Sequence, residues 1–279
     1  MESVFYIKFW GVRGMIPRPG SSFEKVGGRT ACVEVGCGSE VLIFDCGSGA
    51  RALGKHLMRS RAYECRLFLS HFHWDHIIGV PFFEPFRHRD VKVDIFGPPG
   101  GRELLERSLS STVMDRNTIS RLDELEASTR YHDMKRDTTV SCGEAVVSGA
   151  RLNHPGGVWA YRVDFGGHAV VYATDTEHYS CPDRVLLTLA EGADVLIYDA
   201  TYTPEEYEGK RGKRSAVGLG HSTYEEGAKL ARDSGVRHLV LFHHHPDRDD
   251  DEVSAVEDLC RNTFSETTAA RERMTIELL

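Results

Sequence analysis

Four apolar segments of the chain each lead into a histidine or an aspartate, and this recurrence constrains the fold more than any other feature of the sequence. The segment CRLFLS runs directly into HFHWDH, residues 71–76, while ARLNH, HAVVYATD and HLVLFH end at His154, Asp175 and His243. A single histidine at a strand end is usually capped or solvated. Seven histidines and aspartates in one pattern are instead the ligands that zinc and related metals take in proteins. The pattern therefore predicts a metal site at strand ends.

The predicted ligands fall into two sets around two ions. They are His71, His73 and His154 for the first metal and Asp75, His76 and His243 for the second. Asp175 has two carboxylate oxygens and is the natural bridge between the sets. Imidazole and carboxylate ligands suit zinc, and manganese, iron, cobalt and nickel stay open as alternatives. Two divalent metal ions are thus the expected cofactor.

Short apolar runs separated by turn residues predict a chain rich in strands. The predicted strands are residues 4–11, 32–35, 40–47, 65–70, 91–97, 144–152, 158–165, 168–175, 194–200 and 238–244. The predicted helices are residues 49–60, 101–110, 182–191, 223–234 and 251–264. Strands in runs with helices before and after them favour mixed sheets covered by helices. No linker or repeat interrupts the chain, so we expect a single domain spanning residues 1–279.

Residues 112–137 are the least periodic part of the chain. We interpret them as a helix-containing excursion between sheets, and their role stays open. The excursion could serve as the interface of a homodimer, which is one partner that the sequence leaves open.

Charge and hydropathy exclude several classes of partner. The net charge is −8 and the pI is about 6.0, so the chain has no global positive field, and a long nucleic acid is not expected as a partner. No apolar run approaches the roughly 20 residues that cross a bilayer, so no membrane association is expected. The N-terminus MESVFYIKFW lacks the pattern of a secretion signal, and a cytoplasmic location is predicted. The seven scattered cysteines are expected to be reduced, buried thiols.

The H-x-H-x-D-H cluster after an apolar strand, with a later histidine, aspartate and histidine at strand ends, resembles the metallo-β-lactamase fold superfamily. This resemblance implies an α/β fold of the mixed α+β type, a four-layer αββα sandwich with the metals at one edge. Flavodiiron-type oxidoreductases of that superfamily place a glutamate where this chain has His73, so the resemblance favours a hydrolase.

Within the superfamily, the segment GLGHSTYEEGAKLARDSGVRHLVLFHH resembles the phosphodiesterase branch that contains ribonuclease Z and the phosphoribosyl cyclic phosphodiesterases. Members of that branch carry an H-S-T helix start before the last metal-binding histidine, and residues 221–223 match it. The stretch GGRTACVEV is similar to an N-terminal strand of the branch, although many relatives read closer to G-G-N-T-S. Arg29 and Ala31 are therefore departures from the pattern.

The resemblance implies phosphodiester hydrolysis. Two metals about 3.5–4 Å apart lower the pKa of a shared water and clamp the phosphoryl oxygens. His221 is the candidate to protonate the leaving oxygen or to bind a phosphoryl oxygen, and the alternative is that it only packs beside the helix cap. Asp75 is expected to hold the attacking hydroxide by a hydrogen bond while it binds the second metal. Asp199 either fixes an imidazole or is a solvated carboxylate.

The interval between two ligands bears on the substrate. Asp175 follows His154 by 21 positions, which a strand pair fills, whereas ribonuclease Z enzymes that cut precursor tRNA usually carry a long arm there. We therefore expect a small phosphodiester substrate, a cyclic nucleotide or a cyclic ribose phosphate. The alternatives are a ribonuclease Z-like tRNA 3′ endonuclease and a thioester or lactone hydrolase of the same fold.

Overall fold

Two seven-stranded sheets form the centre of the protein. The computed structural model describes residues 4–111, 125–135, 138–181, 183–210 and 214–279. The first sheet has the order β14-β1-β2-β3-β4-β5-β6 and the second the order β13-β12-β11-β10-β9-β8-β7. The strands of the first sheet are β1 (Phe5–Gly11), β2 (Cys32–Cys37), β3 (Glu40–Phe44), β4 (Glu64–Phe68), β5 (Lys92–Gly97), β6 (Ser128–Asp133) and β14 (Thr275–Glu277). Those of the second are β7 (Thr139–Cys142), β8 (Ala145–Leu152), β9 (Val158–Phe165), β10 (His168–Ala173), β11 (Val195–Asp199), β12 (His238–Phe242) and β13 (Thr267–Ala269).

The inner faces of the two sheets share one apolar core. Alternate residues of each strand point inward, as the two-residue period of a strand requires. The rings of Phe44 and Phe68 stack with centroids 5.4 Å apart, and Tyr161 of the second sheet packs 5.8 Å from Phe44. Close packing of this kind fixes the separation and register of the sheets.

Helices cover both outer faces. The α-helices are α1 (Ala50–Arg59), α2 (Trp74–Ile77), α3 (Gly101–Ser111), α4 (Arg184–Ala190), α5 (Pro204–Glu208), α6 (Tyr224–Asp233) and α7 (Asp250–Arg261). Leu53 of α1 and Leu105 of α3 are buried against the first sheet, while Leu186 of α4 and Leu230 of α6 are buried against the second. The layers run helix, sheet, sheet, helix, so the predicted αββα sandwich is confirmed.

Strand direction determines where functional residues can meet. In the second sheet β10, β11 and β12 pair in parallel, and β8 runs in the same direction because it is antiparallel to β9, which is antiparallel to β10. The carboxyl ends of β8, β10, β11 and β12 therefore lie at one edge. The Trp159 N–H donates to Ser70 O at 2.9 Å and so joins this edge to the chain that leaves β4.

Several element boundaries differ from the expectations. The predicted strands and helices are all present, but β6, β7, β13 and β14 were missed because they are short or lack an apolar run. Strand β6 pairs in parallel with β5, so residues 128–133 of the predicted excursion belong to the first sheet, and residues 112–124 and 136–137 of that stretch lie outside the described residues. The N-cap of α7 is Asp249, so the helix begins at Asp250, one residue before its predicted start. Cys181 is exposed, whereas the other six cysteines are buried and unpaired.

No helix among the described residues combines the length and apolar character needed to cross a bilayer.

Candidate metal centre

The structure brings all seven predicted ligand residues to one edge of the sandwich. His71 and His73 follow β4, and the short helix α2 carries Asp75 and His76. The other three lie at strand ends of the second sheet. His154 comes two residues after β8, Asp175 two residues after β10 and His243 directly after β12.

The seven side chains form two clusters that share one carboxylate. The first contains His71, His73, His154 and Asp175, and the second contains Asp75, His76, Asp175 and His243. In each cluster the candidate ligand atoms lie within 4.8 Å of one another. Asp175 Oδ2 is 3.7 Å from His71 Nε2, whereas Asp175 Oδ1 is 3.2 Å from His76 Nε2 and 3.3 Å from His243 Nε2. Each oxygen of Asp175 therefore faces a different cluster, which is the arrangement of a bridging ligand.

The spacing of the ligand atoms fits ions of the size of zinc. His154 Nε2 lies 3.0 Å from His73 Nδ1, and Asp75 Oδ2 lies 3.1 Å from His243 Nε2. Four ligands at about 2.0–2.1 Å from a tetrahedral zinc would lie about 3.3 Å from each other. The residues present thus fit a pair of divalent metal ions.

Hydrogen bonds fix the orientation of four of the five imidazoles through Nδ1. His76 donates from Nδ1 to Asp45 Oδ2 at 2.7 Å, and His154 donates from Nδ1 to Gly220 O at 2.7 Å. His243 Nδ1 lies 3.0 Å from Thr201 Oγ1, whose own hydrogen goes to His243 O. These bonds leave the Nε2 lone pairs facing the clusters, as is usual for metal-binding histidines.

His71 repeats this arrangement and gives a further sign of a missing partner. Its Nδ1 lies 3.0 Å from Ser70 Oγ, which donates its own hydrogen to Asp45 Oδ2 at 2.8 Å. His71 Nε2 is buried and has no hydrogen-bond partner among the residues that the structure describes. A buried nitrogen without a partner is costly unless a ligand meets it, and a metal ion would supply that contact.

Asp45 was not identified from the sequence, yet it organises one side of the centre. This fully buried carboxylate accepts hydrogen bonds from Ser70 N, Ser70 Oγ and Tyr172 Oη as well as from His76. The available signal was the segment LIFDCG, in which an apolar run ends in an aspartate just as HAVVYATD does.

Left-handed backbone conformations occur where these strands end. Asp45, Asp175 and His243 have φ values of +59°, +52° and +58°. Such values are uncommon for residues other than glycine, and they turn each side chain sharply out of its strand. Met15, with φ +65°, directs its N–H to Asp75 Oδ2 at 2.6 Å. The chain next to Met15 is also tightly packed, because a Cβ on Gly14 would lie 2.2 Å from the His243 ring.

Burial and charge set the protonation of the clusters. Burial lowers the pKa of His71 and His154, which favours the neutral form that can bind a metal. Burial alone would raise the pKa of Asp175, but His243 and His76 outweigh it and hold that pKa well below its ordinary value. Burial alone would lower the pKa of His76, but the carboxylates of Asp175, Asp75 and Asp45 outweigh it and raise that pKa well above its ordinary value. The centre is therefore rich in negative charge and suited to cations.

His221 lies beside the two clusters and pairs with Asp199. Its Nδ1 donates to Asp199 Oδ2 at 2.8 Å, and its ring stacks on His243 with centroids 4.9 Å apart. Burial lowers the pKa of His221, but Asp199 more than offsets it and raises the pKa to about 9. Asp199 is fully buried and its Oδ1 accepts from Thr201 N and Ser222 N, so the solvated alternative for this carboxylate is wrong.

The two residues after His221 have structural roles. Thr223 is the N-cap of α6 and accepts from Glu226 N at 3.3 Å. Ser222 Oγ lies 2.8 Å from Tyr198 Oη and 2.8 Å from His178 Nδ1. The H-S-T segment thus begins α6 while it places His221 at the metal clusters.

Glu177 is a second residue that the sequence did not reveal. It is fully buried, and its carboxylate accepts from Gly218 N at 2.6 Å, Gly220 N at 2.8 Å and Tyr207 Oη at 2.8 Å. Because Gly220 O is the acceptor for His154, Glu177 supports that imidazole through the loop before His221. Nothing in the sequence around Glu177 indicates this contact.

His244 and Arg13 lie near the centre but are both buried. His244 is 2% exposed and donates from Nε2 to Ala270 O, and burial lowers its pKa to about 3. Arg13 is fully buried, donates from Nε to Gly27 O at 2.8 Å and also bonds Arg248 O. Neither residue is available to a substrate.

Comparison with known proteins gives the family. A domain family described as beta-lactamase superfamily domain matches residues 41–244. Ribonuclease Z of Haloferax volcanii is 31% identical over 254 residues, covering 73% of this chain and 75% of the relative. Ribonuclease Z of Thermoplasma volcanium is 26% identical over 326 residues, covering 100% of this chain and 99% of the relative.

Solved structures agree on the fold. The metallo-β-lactamase fold protein YhfI from Bacillus subtilis has a TM-score of 0.75 at 19% identity, covering 99% of this chain and all of that one. The short form of human tRNase Z has a TM-score of 0.66 at 21% identity, covering 97% of this chain and 98% of that one.

These comparisons correct one expectation. Charge and composition argued against a long nucleic acid as a partner, but the relatives are ribonucleases by name and one structural neighbour is a tRNase. That expectation is wrong because net charge averages over the whole surface and does not report the charge close to a site. The chain belongs to the beta-lactamase superfamily, has the metallo-β-lactamase fold, and is a metal-dependent hydrolase of its phosphodiesterase family.

Proposed function

We propose that the protein is a dinuclear-metal phosphodiesterase that hydrolyses phosphodiester bonds in RNA. The observation that carries this proposal is the position of Asp175, with one carboxylate oxygen toward each of two imidazole clusters. The names of the ribonuclease Z relatives support RNA as the substrate class.

We assign the ligands as the sequence predicted them. His71, His73 and His154 hold one ion, Asp75, His76 and His243 hold the other, and Asp175 binds both. Zinc is the proposed metal, because imidazole nitrogens outnumber carboxylates and their spacing suits tetrahedral coordination. When bound, such a pair of ions activates a water and stabilises the charge that develops on a phosphoryl group.

Asp75 has a second proposed task. Its Oδ2 is held by the Met15 N–H and faces His243. We assign its Oδ1 to accept a hydrogen bond from the attacking water. The Met15 amide keeps the carboxylate from rotating, so the water would be aligned before the reaction begins.

His221 is the proposed proton donor to the leaving oxygen. Burial lowers the pKa of His221, but Asp199 offsets it and raises the pKa to about 9, which favours the protonated imidazole. Its Nδ1 proton is held by Asp199, so Nε2 is the atom that gives its proton to the departing alkoxide. An alkoxide is a poor leaving group and needs this proton, whereas a thiolate does not. The His221–Asp199 pair therefore favours a phosphodiester over a thioester.

A small cyclic phosphodiester remains the second candidate. The interval between His154 and Asp175 is filled by β9, its turn and β10, which leaves no room for an arm. The alignment with the Thermoplasma volcanium relative extends over 326 positions, whereas this chain has 279 residues, so that relative carries stretches which this chain lacks. A site without an arm in the interval between His154 and Asp175 is accessible to small substrates.

The test combines metal analysis with a substrate panel. The panel contains precursor tRNA, an unstructured RNA, 3′,5′- and 2′,3′-cyclic nucleotides, cyclic ribose phosphate, bis(p-nitrophenyl) phosphate and a thioester. We expect two metal ions per chain and cleavage of RNA at internal bonds. Turnover of cyclic substrates without RNA cleavage would replace the proposal by its second candidate, and thioester turnover alone would exclude both.

A further inference from the structure

A long groove starts at the metal centre and leaves it along the second sheet. It has a volume of about 1460 Å³ and is lined by His154 at one end. From there it follows β8 back to Ser148, and Arg184 and Leu189 of α4 form its opposite wall. Pockets for small molecules usually measure about 300–1,000 Å³, so this groove suits a longer ligand.

The sheet itself leaves the groove open. Strand β7 pairs with residues 145–148 of β8, and no other described strand pairs with residues 149–152 on that edge, which lies beside the groove. Ser148, Gly149 and Ala150 have small side chains and do not fill this space. The groove therefore results from the pairing of β7 with β8 and does not depend on the rotamer of any one side chain.

Two arginines in the groove have no side-chain partner among the residues that the structure describes. Arg151 and Arg184 are exposed, and neither guanidinium makes a hydrogen bond or an ion pair with any residue that the structure describes. Arg151 packs over Gly157, where a Cβ would lie 2.7 Å from Arg151 Nε. Gly157 itself is three residues from His154, so this guanidinium lies close to the metal centre.

The third arginine of the groove differs from these two. Arg162 donates from Nε to Asp164 at 2.9 Å and from Nη1 to Leu189 O and Glu191 O, so its charge is already compensated. Among the described lining residues Glu191 is the one carboxylate. The groove thus presents two free positive charges on a protein whose net charge is −8.

An exposed aromatic ring also lines the groove. Tyr179 lines the groove and is 48% exposed, with φ +51°. It follows Asp175 by four positions. Grooves that bind single-stranded nucleic acid combine cationic side chains for the phosphates with exposed aromatic rings on which bases stack.

We propose that this groove, through Arg151, Arg184 and Tyr179, binds the single-stranded RNA that flanks the bond cleaved at the metal centre. This inference rests on the proposed function and names the part of the RNA that the protein holds. The two guanidiniums bind successive phosphates, and the Tyr179 ring stacks on a base next to the scissile bond. A cyclic mononucleotide would occupy the metal centre alone and would not reach Arg184.

The test is a double variant compared with a matched control. Arg151→Ala/Arg184→Ala removes both free charges of the groove. Arg51→Ala/Arg59→Ala removes two exposed arginines of α1, which covers the other sheet. The affinity for a cleavage-resistant 12-nucleotide phosphorothioate RNA is measured by fluorescence anisotropy over a range of salt concentrations, and kcat and KM are measured for cleavable RNA and for bis(p-nitrophenyl) phosphate.

We expect the groove variant to bind RNA at least about tenfold more weakly at 0.1 M salt, and its salt slope to fall by about 1.4, since each phosphate contact on a single strand contributes about 0.7. Its KM for RNA should rise while turnover of bis(p-nitrophenyl) phosphate stays within twofold. The α1 variant should match wild type in each measurement. Tyr179→Ala should weaken RNA binding without changing the salt slope, because stacking releases no counterions.

Two results would overturn the groove assignment. The first is an equal loss of RNA affinity in the groove variant and in the α1 variant. The second is an RNA affinity of the groove variant that equals that of wild type. Either could occur while wild type still cleaves RNA, and the proposed function would then stand without the groove. Conversely, RNA bound through Arg151 and Arg184 but not cleaved by wild type would support the groove and overturn RNA as the substrate.

Discussion

The metal centre and the adjoining groove share His154 but are built in opposite ways. In the centre, four imidazoles are fixed by Nδ1 hydrogen bonds, and the carboxylates of Asp45 and Asp199 are fully buried. In the groove, Arg151 and Arg184 extend into solvent without a partner among the described residues. The difference teaches that the packed scaffold fixes the side chains of the centre, whereas the proposed RNA contacts depend on a few exposed side chains. Four variants can separate the two regions.

Asp175→Asn should have the largest effect. An amide cannot bridge two cations through two anionic oxygens, so several kcal/mol of transition-state stabilisation, about three factors of ten in kcat, should be lost. Metal content, measured on the same preparation by mass spectrometry, should fall. RNA affinity in the groove should stay within about twofold at fixed salt, and a parallel loss of RNA binding would show that the two regions are not separable.

His221→Ala should lower kcat by about 10²–10⁴ through loss of the proton donor. Because His221 is not assigned to either metal, the variant should keep both ions. His132→Ala, which removes an imidazole paired with Asp94 at the far end of the first sheet, is the matched control. Loss of metal from the His221 variant would instead give this residue a structural role at the centre.

Asp199→Asn should change the pH profile more than the maximum rate. Asp199 raises the pKa of His221 to about 9, so the protonated form, and with it kcat, is lost as pH rises through that value. Without the carboxylate the pKa falls, and the alkaline limb of the kcat profile should move to lower pH, costing about tenfold at pH 8. If the alkaline limb lies at the same pH in wild type and in the Asp199 variant, the limb reflects the titration of a group other than His221.

Glu191→Gln should have the smallest effect and the opposite sign. The substitution removes the one carboxylate from the described lining of the groove, so RNA should bind about twofold more tightly at low salt. The gain should disappear at high salt, because exposed charges are screened. Asp233→Asn on α6 is a control with the same change in net charge. An equal gain in that control would reflect net charge and not the groove.

The fold could be predicted from the sequence wherever a strand has an apolar run. Strands such as β11, with five consecutive buried residues, are visible because both of their faces are covered. Strand β6, with the sequence STRYHD, was missed because it lies at an edge of its sheet and its apolar and polar residues alternate only weakly. Strands β13 and β14 have three residues each, too few to show a period.

The clustering of the seven histidines and aspartates could be predicted because these residues follow strands, a local property of the chain. Their hydrogen-bond partners could not be predicted, since they are set by tertiary contacts. Thr201, Gly220 and Asp45 meet His243, His154 and His76 only after the sheets have packed. The groove was also invisible in the sequence. Its open edge depends on the length of β7 relative to β8. Its positive charge depends on which arginines make no ion pair or hydrogen bond within the protein.

The left-handed residues at the strand ends have a consequence for how this protein could change. Asp45, Asp175 and His243 each keep a backbone conformation that glycine would adopt without strain, at a cost of order 1–3 kcal/mol each. Glycine at position 45 would relieve that cost, but it would leave the four hydrogen-bond donors of the Asp45 carboxylate buried without their acceptor. The strained backbone is therefore retained by the same side chains that build the centre, and a substitution at these strand ends would lower thermal stability together with activity.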